Sequence, residues 1–231
     1  MNFVKKIAGI LSILTVLLFV MGPILAHFHV IPALVGFGMF ALSAVTGILC
    51  IICGIVSIKR KELQSGVLLF SIGAIPISII GYTLSSNGTH PPINDVSTDL
   101  INPPVLFDQR IPDTAIVMDA KNSDIIKNAY SDISPVYSKR APAEVFMVVS
   151  DAAKSNPQWT IYKEDSEGLI LHGYERFGIF QFIDDFSIRI SPSNDGTSVI
   201  DMRSKSRDGK ADFGINAKRI RSFLSALSTK L

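Results

Sequence analysis

Three long runs without charged residues constrain the fold of this 231-residue chain more than any other feature. The runs cover residues 7–28, 31–58 and 66–84, and none contains Asp, Glu, Lys or Arg. A helix of roughly 20 mostly apolar residues can cross the hydrocarbon core of a bilayer, and a charge near its centre costs about 3 kcal/mol. The sequence therefore predicts a membrane anchor of three transmembrane helices within residues 1–84.

The positions of lysine and arginine in the anchor indicate its orientation. Lys5 and Lys6 precede the first run, and residues 59–61 (Lys-Arg-Lys) separate the second run from the third. The loop over residues 27–32 contains neither Lys nor Arg. Because cytoplasmic loops are enriched in Lys and Arg, we expect the N-terminus and the 59–61 loop in the cytoplasm. Residues 85–231 are then extracytoplasmic, on the periplasmic side of a bacterial cytoplasmic (inner) membrane.

The first run also has a second interpretation, as a cleaved signal peptide. Lys5 and Lys6 resemble the basic segment of such a peptide, and residues 24–26 resemble a weak cleavage site. However, the apolar run is long, and two further spans follow it in either case. Both interpretations place a membrane anchor before residue 85.

Small residues recur along the second run. They are Gly36, Gly38, Ala41, Ala44, Gly47 and Gly54. Small side chains let helix backbones approach closely. We interpret them mainly as the seams of a compact three-helix anchor. A surface for a second copy of the chain or for an envelope protein partner is the alternative.

Residues 85–231 have the composition of a water-soluble domain. They contain 17 basic and 19 acidic side chains and no cysteine. A slightly acidic domain gives little support to nucleic-acid binding, so no nucleic-acid partner is predicted. The first part, residues 85–112, is rich in Pro, Ser and Asn, and its paired prolines favour an extended chain. We predict a stiff tether at 85–112 that packs partly on the domain.

Alternating and helical periodicities predict an α+β domain after this tether. A first strand is predicted at residues 130–138, followed by a helix that begins at Pro142. Further strands are predicted at residues 159–164, 169–176, 180–190 and 198–206, with a hairpin turn at 193–196. A final amphipathic helix follows the candidate N-cap Asp212. Consecutive hairpins favour a two-layer domain with an antiparallel sheet and both helices on one face.

The domain contains no recognisable catalytic or metal-binding constellation. Both cysteines of the chain lie in the second apolar run, and His90 and His172 have no obvious Asp partner. Asp184 and Asp185 are neighbours in a predicted strand, so their side chains point to opposite faces and are poorly placed as an acid/base pair. No catalytic residue, metal or cofactor is therefore predicted.

Basic residues concentrate where the last strand meets the last helix. Residues 201–230 carry eight basic side chains and three acidic ones. Arg203 and Arg207, with Ser204 and Ser206, form a candidate site for an anion near a helix N-terminus. The alternative is an internal lock, in which acidic residues such as Asp212 pair with the arginines and satisfy the helix start.

Two segments of the domain resemble a bacterial and plastid family catalogued as domain of unknown function 1499. Residues 199–220 include the pattern Arg-Ser-x-Ser-Arg-x-Gly-x-x-Asp-Phe-Gly-x-Asn, and residues 91–99 resemble the N-terminal motif of that family. Asp208 departs from the apolar residue of the family pattern. The resemblance implies no reaction, substrate or cofactor. It implies that the 94–99 motif belongs to the domain, and we infer that it packs near residues 203–216.

The candidate site residues, for an anionic ligand or a structural lock, come from both segments. They are Asn94, Asp95, Arg203, Ser204, Ser206, Arg207, Asp212, Asn216 and Arg219. We expect a non-catalytic envelope module that binds a lipid, an anionic small molecule or an envelope protein. An accessory subunit of a membrane transport or assembly complex is one alternative. An unrecognised envelope hydrolase that uses Asp95, Asp212 or His172 is another.

Overall fold

A computed structural model describes residues 2–86, 90–107, 115–193 and 196–231. The chain divides into two compact units. One comprises residues 1–88 with 178–181, and the other comprises residues 89–177 with 182–231.

The first unit contains three long helices, which agree with the three apolar runs. They are α1 (Asn2–His27), α2 (Ala33–Lys59) and α3 (Leu63–Ser86). All three are long and apolar enough to cross a membrane. Most of their large apolar side chains remain exposed on the outside of the bundle, as expected for helices that lipid would cover. The prediction of three apolar helices before the domain is confirmed.

The basic residues of the anchor lie at one end of the three-helix bundle. The ammonium group of Lys5, near the start of α1, lies 3.0 Å from the carboxylate of Glu62, in the turn between α2 and α3. The basic residues 59–61 belong to the end of α2 and to the same turn. The basic groups that predict the cytoplasmic side are therefore gathered in space as well as in sequence.

Glycines form close seams between α2 and its two neighbours. A Cβ atom on Gly73 of α3 would lie 2.2 Å from the carbonyl oxygen of Gly47 in α2. A Cβ on Gly36 of α2 would lie 2.6 Å from the carbonyl oxygen of Gly22 in α1. No real side chain tolerates such distances, so the backbones approach to a separation that only glycine permits. The contacts favour the compact-anchor interpretation of these small residues.

Leucine in place of Gly73 is expected to loosen the anchor. Overpacking a tight contact costs about 1–3 kcal/mol. Cys50 of α2 is fully buried with its sulfur 3.5 Å from the Thr15 hydroxyl of α1, so loosening of the helix packing should make it more reactive. If modification proceeds through local opening, its rate should rise roughly 5- to 150-fold. Maleimide labelling of a Cys53→Ala background measures this rate. Gly81→Leu is the matched control, since a Cβ at Gly81 meets nothing within 4 Å; equal rates in the two variants would contradict the prediction.

The second unit is built on an antiparallel sheet of six strands. Its strands are β1 (Asp95–Ser97), β4 (Val136–Ser138), β5 (Trp159–Asp165), β6 (Ile170–Phe177), β7 (Phe182–Pro192) and β8 (Ser198–Ser206). The order is β1-β8-β7-β6-β5, and β4 also pairs with β8. A separate two-stranded sheet consists of β2 (Leu106–Phe107) and β3 (Ala115–Ile116). The pairing of β1 with β8 joins the two segments that carry the family resemblance.

Three helices cover one face of this sheet. They are α4 (Ala120–Ala129), α5 (Pro142–Lys154) and α6 (Ile215–Ser228). The core between helices and sheet includes Val145, Phe146 and Val149 of α5, Phe186 and Ile188 of β7, and Ile220 and Leu224 of α6. The fold is therefore the predicted two-layer α+β arrangement after a three-helix anchor.

The chain before α5 differs from the prediction. The strand predicted at 130–138 is wrong over its first part, because the structure has a strand only at Val136–Ser138 and Tyr130 ends α4 with a buried ring. Helix α4 was not predicted, because it buries few apolar residues. Asp119 caps it and accepts a hydrogen bond from the Lys121 amide at 3.0 Å. A hairpin turn was predicted at residues 193–196. Residues 194 and 195 lie outside the described residues, and Gly196 adopts a φ of +82°.

The alternation predicted for β7 is confirmed. Phe186 and Ile188 are fully buried under the helices, whereas Asp185 and Ser187 point to the other face of the sheet. We call that other face, which carries no helix, the polar face. It is covered in part by the chain around β2 and β3, because Arg203 on this face donates to the carbonyl oxygen of Ile116 at 2.9 Å. Buried positions therefore occur on both faces of the sheet.

Candidate functional site

The start of α6 is held by the side chain of Asp212. Its carboxylate oxygens accept hydrogen bonds from the amides of Gly214 at 2.9 Å and Asn216 at 2.7 Å. These two amides belong to the first turn of the helix, whose N–H groups have no partner within the helix. Gly214 adopts φ +80°, and a Cβ there would lie 2.7 Å from the His90 ring, so the loop accepts only glycine without rearrangement. Gly214 therefore occupies the N-cap position that was predicted for Asp212, and the Asp212 side chain instead closes the strand-to-helix loop from two residues earlier.

Arg219 organises a buried network on the helix face of the sheet. Its guanidinium donates to Glu175 at 2.6 Å, to Asp184 at 2.8 Å and to the hydroxyl of Ser204 at 2.9 Å. Asn216 accepts another of its hydrogen bonds at 2.8 Å. Burial raises the pKa of Asp184 above its ordinary value, although the Arg219 charge opposes the increase. We call these five residues the Arg219 network.

Asn216 connects the Arg219 network to the first strand. Its amide nitrogen donates to the hydroxyl of Ser206 at 3.0 Å and to the backbone carbonyl of Asn94 at 3.1 Å. The side-chain amide of Asn94 in turn donates to the carbonyl of Gly209 at 2.7 Å. The Asn and Ser residues of the two family segments therefore fasten β1, the end of β8 and α6 to one another.

The other two arginines of the candidate set lie on the polar face. Arg203, 1% exposed, makes a bidentate pair with Asp95 at 2.9 and 2.8 Å. Arg207 makes a bidentate pair with Asp185, with both distances 2.7 Å. Bidentate pairing with a carboxylate uses the donors that an incoming anion would need. The geometry therefore favours the structural-lock interpretation of Arg203 and Arg207, with Asp95 and Asp185 as the paired carboxylates, whereas Asp212, the predicted partner, holds the start of α6.

The candidate residues consequently form two sets rather than one site. Alternation along β8 sends Ser204 and Ser206 to the helix face, and Arg203 to the polar face. Sequence proximity suggested a single anion site, but the sheet separates its members. The Asp residues proposed as catalytic in the hydrolase alternative also have structural partners, since Asp95 binds Arg203 and Asp212 caps α6.

His172 is the other residue of that alternative, and it is buried on the polar face. Its ring packs against Phe107 of β2 with a centroid distance of 5.3 Å, and it is 1% exposed. Burial, assisted by the charge of Lys163, lowers the pKa of His172 to about 4. Its register partner on β7 is Ser187, and neither His172 Nδ1 nor Ser187 Oγ has a hydrogen-bond partner within the described part of the chain. The imidazole is therefore neutral at ordinary pH.

A groove lies on the helix side of the domain, between α5, α6 and the adjoining ends of β5 and β6. Its volume is about 490 Å³, within the range of roughly 300–1,000 Å³ that is typical of small-molecule sites. The apolar lining comprises Ala152, Trp159, Phe177, Ile215, Phe223, Ala226 and Leu227, and the charged lining comprises Glu175, Lys218, Arg219 and Lys230. Arg219 is the only member of the candidate set among these lining residues.

Trp159 forms an ordered wall of the groove. Its ring packs on Phe186 at 4.2 Å and on Phe223 at 4.8 Å between centroids, and its indole N–H donates to Glu175 at 3.1 Å. Glu175 is thereby held between Trp159 and Arg219. The charge of Glu175, the one carboxylate among the lining residues, is thereby neutralised, whereas Lys218 and Lys230 keep their positive charges.

Lys218 and Lys230 place positive charge at two points along α6. Lys218 lies in the first turns of the helix and Lys230 follows its last turn, and both are exposed. Neither forms a salt bridge within the residues that the structure describes. Sequence reasoning missed the groove, because its lining comes from elements that are distant in the sequence and the lysines had no distinguishing pattern. No group of three or more His, Cys, Asp or Glu residues suited to a metal occurs in the described ranges.

Comparison with known proteins assigns the domain to a family. The family described as "Protein of unknown function (DUF1499)" matches residues 95–227, from the start of β1 into the last turn of α6. This range covers more than half of the chain and includes the Arg219 network and the Asp95–Arg203 pair. No curated protein matches the sequence. The chain belongs to the DUF1499 family.

Proposed function

We propose that this protein is a membrane-anchored, non-catalytic binding protein whose domain takes up an anionic amphiphile, a lipid or lipid-like molecule, in the groove along α6. The observation that supports this proposal is the composition of the groove. Aromatic and aliphatic side chains line a concave space together with two lysines that form no salt bridge within the described residues. Sites for small molecules typically combine apolar walls with a few convergent polar groups.

The apolar lining supports a ligand with hydrocarbon. Trp159 and Phe177 are partly exposed in the groove, and the buried Phe223 and Leu227 complete its apolar lining. Each methylene that such a surface removes from water contributes about 0.8 kcal/mol, so a short stretch of acyl chain supplies useful affinity. A purely ionic ligand would gain nothing from these side chains.

The charges support an acidic group on the same ligand. Lys218, Arg219 and Lys230 line the groove together with Glu175, and Glu175 is already engaged by Arg219 and Trp159. Lys218 and Lys230 therefore remain as the groups that an incoming phosphate or carboxylate would meet. Exposed lysines recognise anions as point charges, which suits a headgroup of variable geometry.

The location proposed for this activity is the outer side of a bacterial cytoplasmic membrane. The basic end of the anchor, with Lys5 and residues 59–61, favours a cytoplasmic position for that end. Since α3 starts there and crosses to the other end, the domain that follows it is extracytoplasmic. In a Gram-negative cell this is the periplasm, where an anchored domain would meet lipids released from the membrane.

Intrinsic fluorescence provides a direct test, because Trp159 is the single tryptophan of the chain and lines the groove. The full-length protein in nanodiscs is titrated with a lysophospholipid that carries an anionic headgroup, and with a zwitterionic one of the same acyl chain. We expect a saturable change in Trp159 emission for the anionic ligand and at least tenfold weaker binding of the zwitterionic one, about 1.4 kcal/mol.

Two serines of α6 supply a matched control. Ser222 lines the groove and Ser225 does not, although both are exposed. Ser222→Phe is expected to block the fluorescence change, whereas Ser225→Phe should retain it. The double variant Lys218→Gln/Lys230→Gln should lose the preference for the anionic headgroup. Identical titrations for the two phenylalanine variants would rule out the groove as the binding site.

A further inference from the structure

We propose a second binding site, for the headgroup of an anionic phospholipid, in a cavity at the basic end of the anchor. The cavity has a volume of about 250 Å³ and lies among α1, α2 and α3. Lys5, Ser12, Cys53, Arg60, Ser65 and Leu68 are among its lining residues. It belongs to the first unit and does not depend on the groove of the domain.

The lining changes in polarity along the cavity. Lys5, Arg60 and Glu62 lie at the helix ends, and three serines from three helices lie one or two turns further in. The apolar part of the lining consists of Ala8, Val56, Leu68 and Leu69. A phospholipid has the same sequence of groups, since its charged phosphate and polar glycerol esters precede the hydrocarbon. Basic pockets between transmembrane helices are a recognised mode of headgroup binding.

The electrostatics of the cavity favour an anion. Glu62, the acidic residue of the lining, is paired with Lys5 at 3.0 Å, so Arg60 remains as a cation without a carboxylate partner in the described residues. Lys59 and Lys61 add positive charge at the same end. The N-termini of α1 and α3 also point to this end and contribute partial positive charge.

The bilayer itself is the source of the ligand that these features fit. A free phosphate ion would satisfy Arg60 but would leave the apolar lining against water. An anionic phospholipid of the surrounding leaflet satisfies both parts of the cavity and needs no path through solvent. The proposed occupant is therefore a lipid with a phosphate headgroup of net negative charge, such as phosphatidylglycerol.

Cys53 allows the site to be tested in the full-length protein. It lines the cavity, and the other cysteine, Cys50, is fully buried, so modification by N-ethylmaleimide reports on Cys53. The protein is reconstituted in nanodiscs of phosphatidylcholine alone, or with about 20 mol% phosphatidylglycerol as the anionic lipid. We expect modification to be at least roughly fivefold slower with the anionic lipid, corresponding to about 1 kcal/mol of protection.

Variants at the basic end separate a specific site from general surface charge. Arg60→Gln should abolish the protection, whereas Lys61→Gln, which changes the charge equally at a residue outside the cavity lining, should retain it. Ser12→Leu, which fills the cavity without a charge change, should make the rate independent of lipid composition. Native mass spectrometry should find an anionic lipid retained on the wild type and on Lys61→Gln, and not on Arg60→Gln.

Several outcomes would overturn the proposal. Equal modification rates in the two bilayers would show that no anionic lipid occupies the cavity. Equal protection in Arg60→Gln and Lys61→Gln would assign the effect to general surface charge. Protection by inorganic phosphate in phosphatidylcholine nanodiscs would identify a free-anion site instead of a lipid site.

Discussion

Replacement of Arg203 by methionine is expected to destabilise the domain by about 3–5 kcal/mol, because it leaves the carboxylate of Asp95 buried without its partner. Arg203 is the largest of the fully buried side chains, and Asp95 is 2% exposed. The guanidinium also donates to the backbone carbonyls of Pro104 and Ile116, which ties the chain around β2 and β3 to the sheet. Urea unfolding of the full-length protein in nanodiscs, followed by Trp159 fluorescence, measures the loss.

An exposed pair of the same type provides the control for Arg203. Arg221 makes a bidentate pair with Asp132, but the two side chains are 39% and 58% exposed. Exposed ion pairs contribute less than about 1 kcal/mol, so Arg221→Met should have a small effect. The double variant Asp95→Asn/Arg203→Met should be destabilised by less than the sum of the single variants. Similar losses for Arg203→Met and Arg221→Met would refute the buried-lock interpretation.

Acidification from neutral pH is expected to destabilise the domain through His172. The folded-state pKa of about 4 lies below the ordinary value of 6.5, so the unfolded chain binds the proton first as the pH falls. The stability that the neutral imidazole contributes is complete above about pH 6.5. It is lost as the pH falls toward 4, by about 2 kcal/mol at pH 5 and about 3 kcal/mol near pH 4. Urea unfolding at a series of pH values, again followed by Trp159, measures this slope.

Three other carboxylates of the domain have shifted pKa values, and their pH dependence differs from that of His172. Hydrogen bonds from Arg221 and Lys154 lower the pKa values of Asp132 and Glu164 below their ordinary values of 3.8 and 4.5, so their contributions are lost only in more acidic solution. Burial raises the pKa of Asp184, so that group gains stability as the pH falls and has the opposite sign. His172→Gln should remove the slope between about pH 6.5 and 5. An unchanged slope in this variant would exclude His172 as its source.

Local patterns in the sequence predict most of the secondary structure. The uncharged runs predict α1, α2 and α3, and the alternation of Phe186 and Ile188 with Asp185 and Ser187 predicts the two faces of β7. Helix α4 escaped this reasoning because it is only ten residues long and contains few apolar side chains, of which Ile126 is the buried one. Strand β1 is three residues long and was not predicted as a strand, since the family resemblance indicated only that residues 94–99 belong to the domain and pack near residues 203–216. The conformation of such short elements depends on the elements that they pack against, so their own residues show little pattern from which it can be predicted.

The candidate site shows the limit of such reasoning in more detail. The sequence identifies Arg203, Arg207 and Arg219 as unusual, but it places them in one cluster because they are close along the chain. Strand alternation sends Arg203 to the polar face, and the helix turns Arg219 to the opposite one. The carboxylates that pair with them come from β1, β6 and β7, and Asp95 is 108 residues away from Arg203. A pairing partner at that distance is decided by strand order, which local periodicity does not determine.

Three features of this protein follow from consecutive residues alone. The length of the apolar runs predicts the three helices, the positions of Lys and Arg predict the basic end of the anchor, and alternation along the strands predicts an antiparallel domain. Only the packing of the domain shows that the arginines of the candidate set are held by carboxylates from other strands. The tertiary structure also decided where open space remains. Both proposed sites, the groove along α6 and the cavity at the basic end of the anchor, are gaps between elements that are distant in sequence. Such a space forms only when these elements pack together, so no single segment of the sequence predicts it.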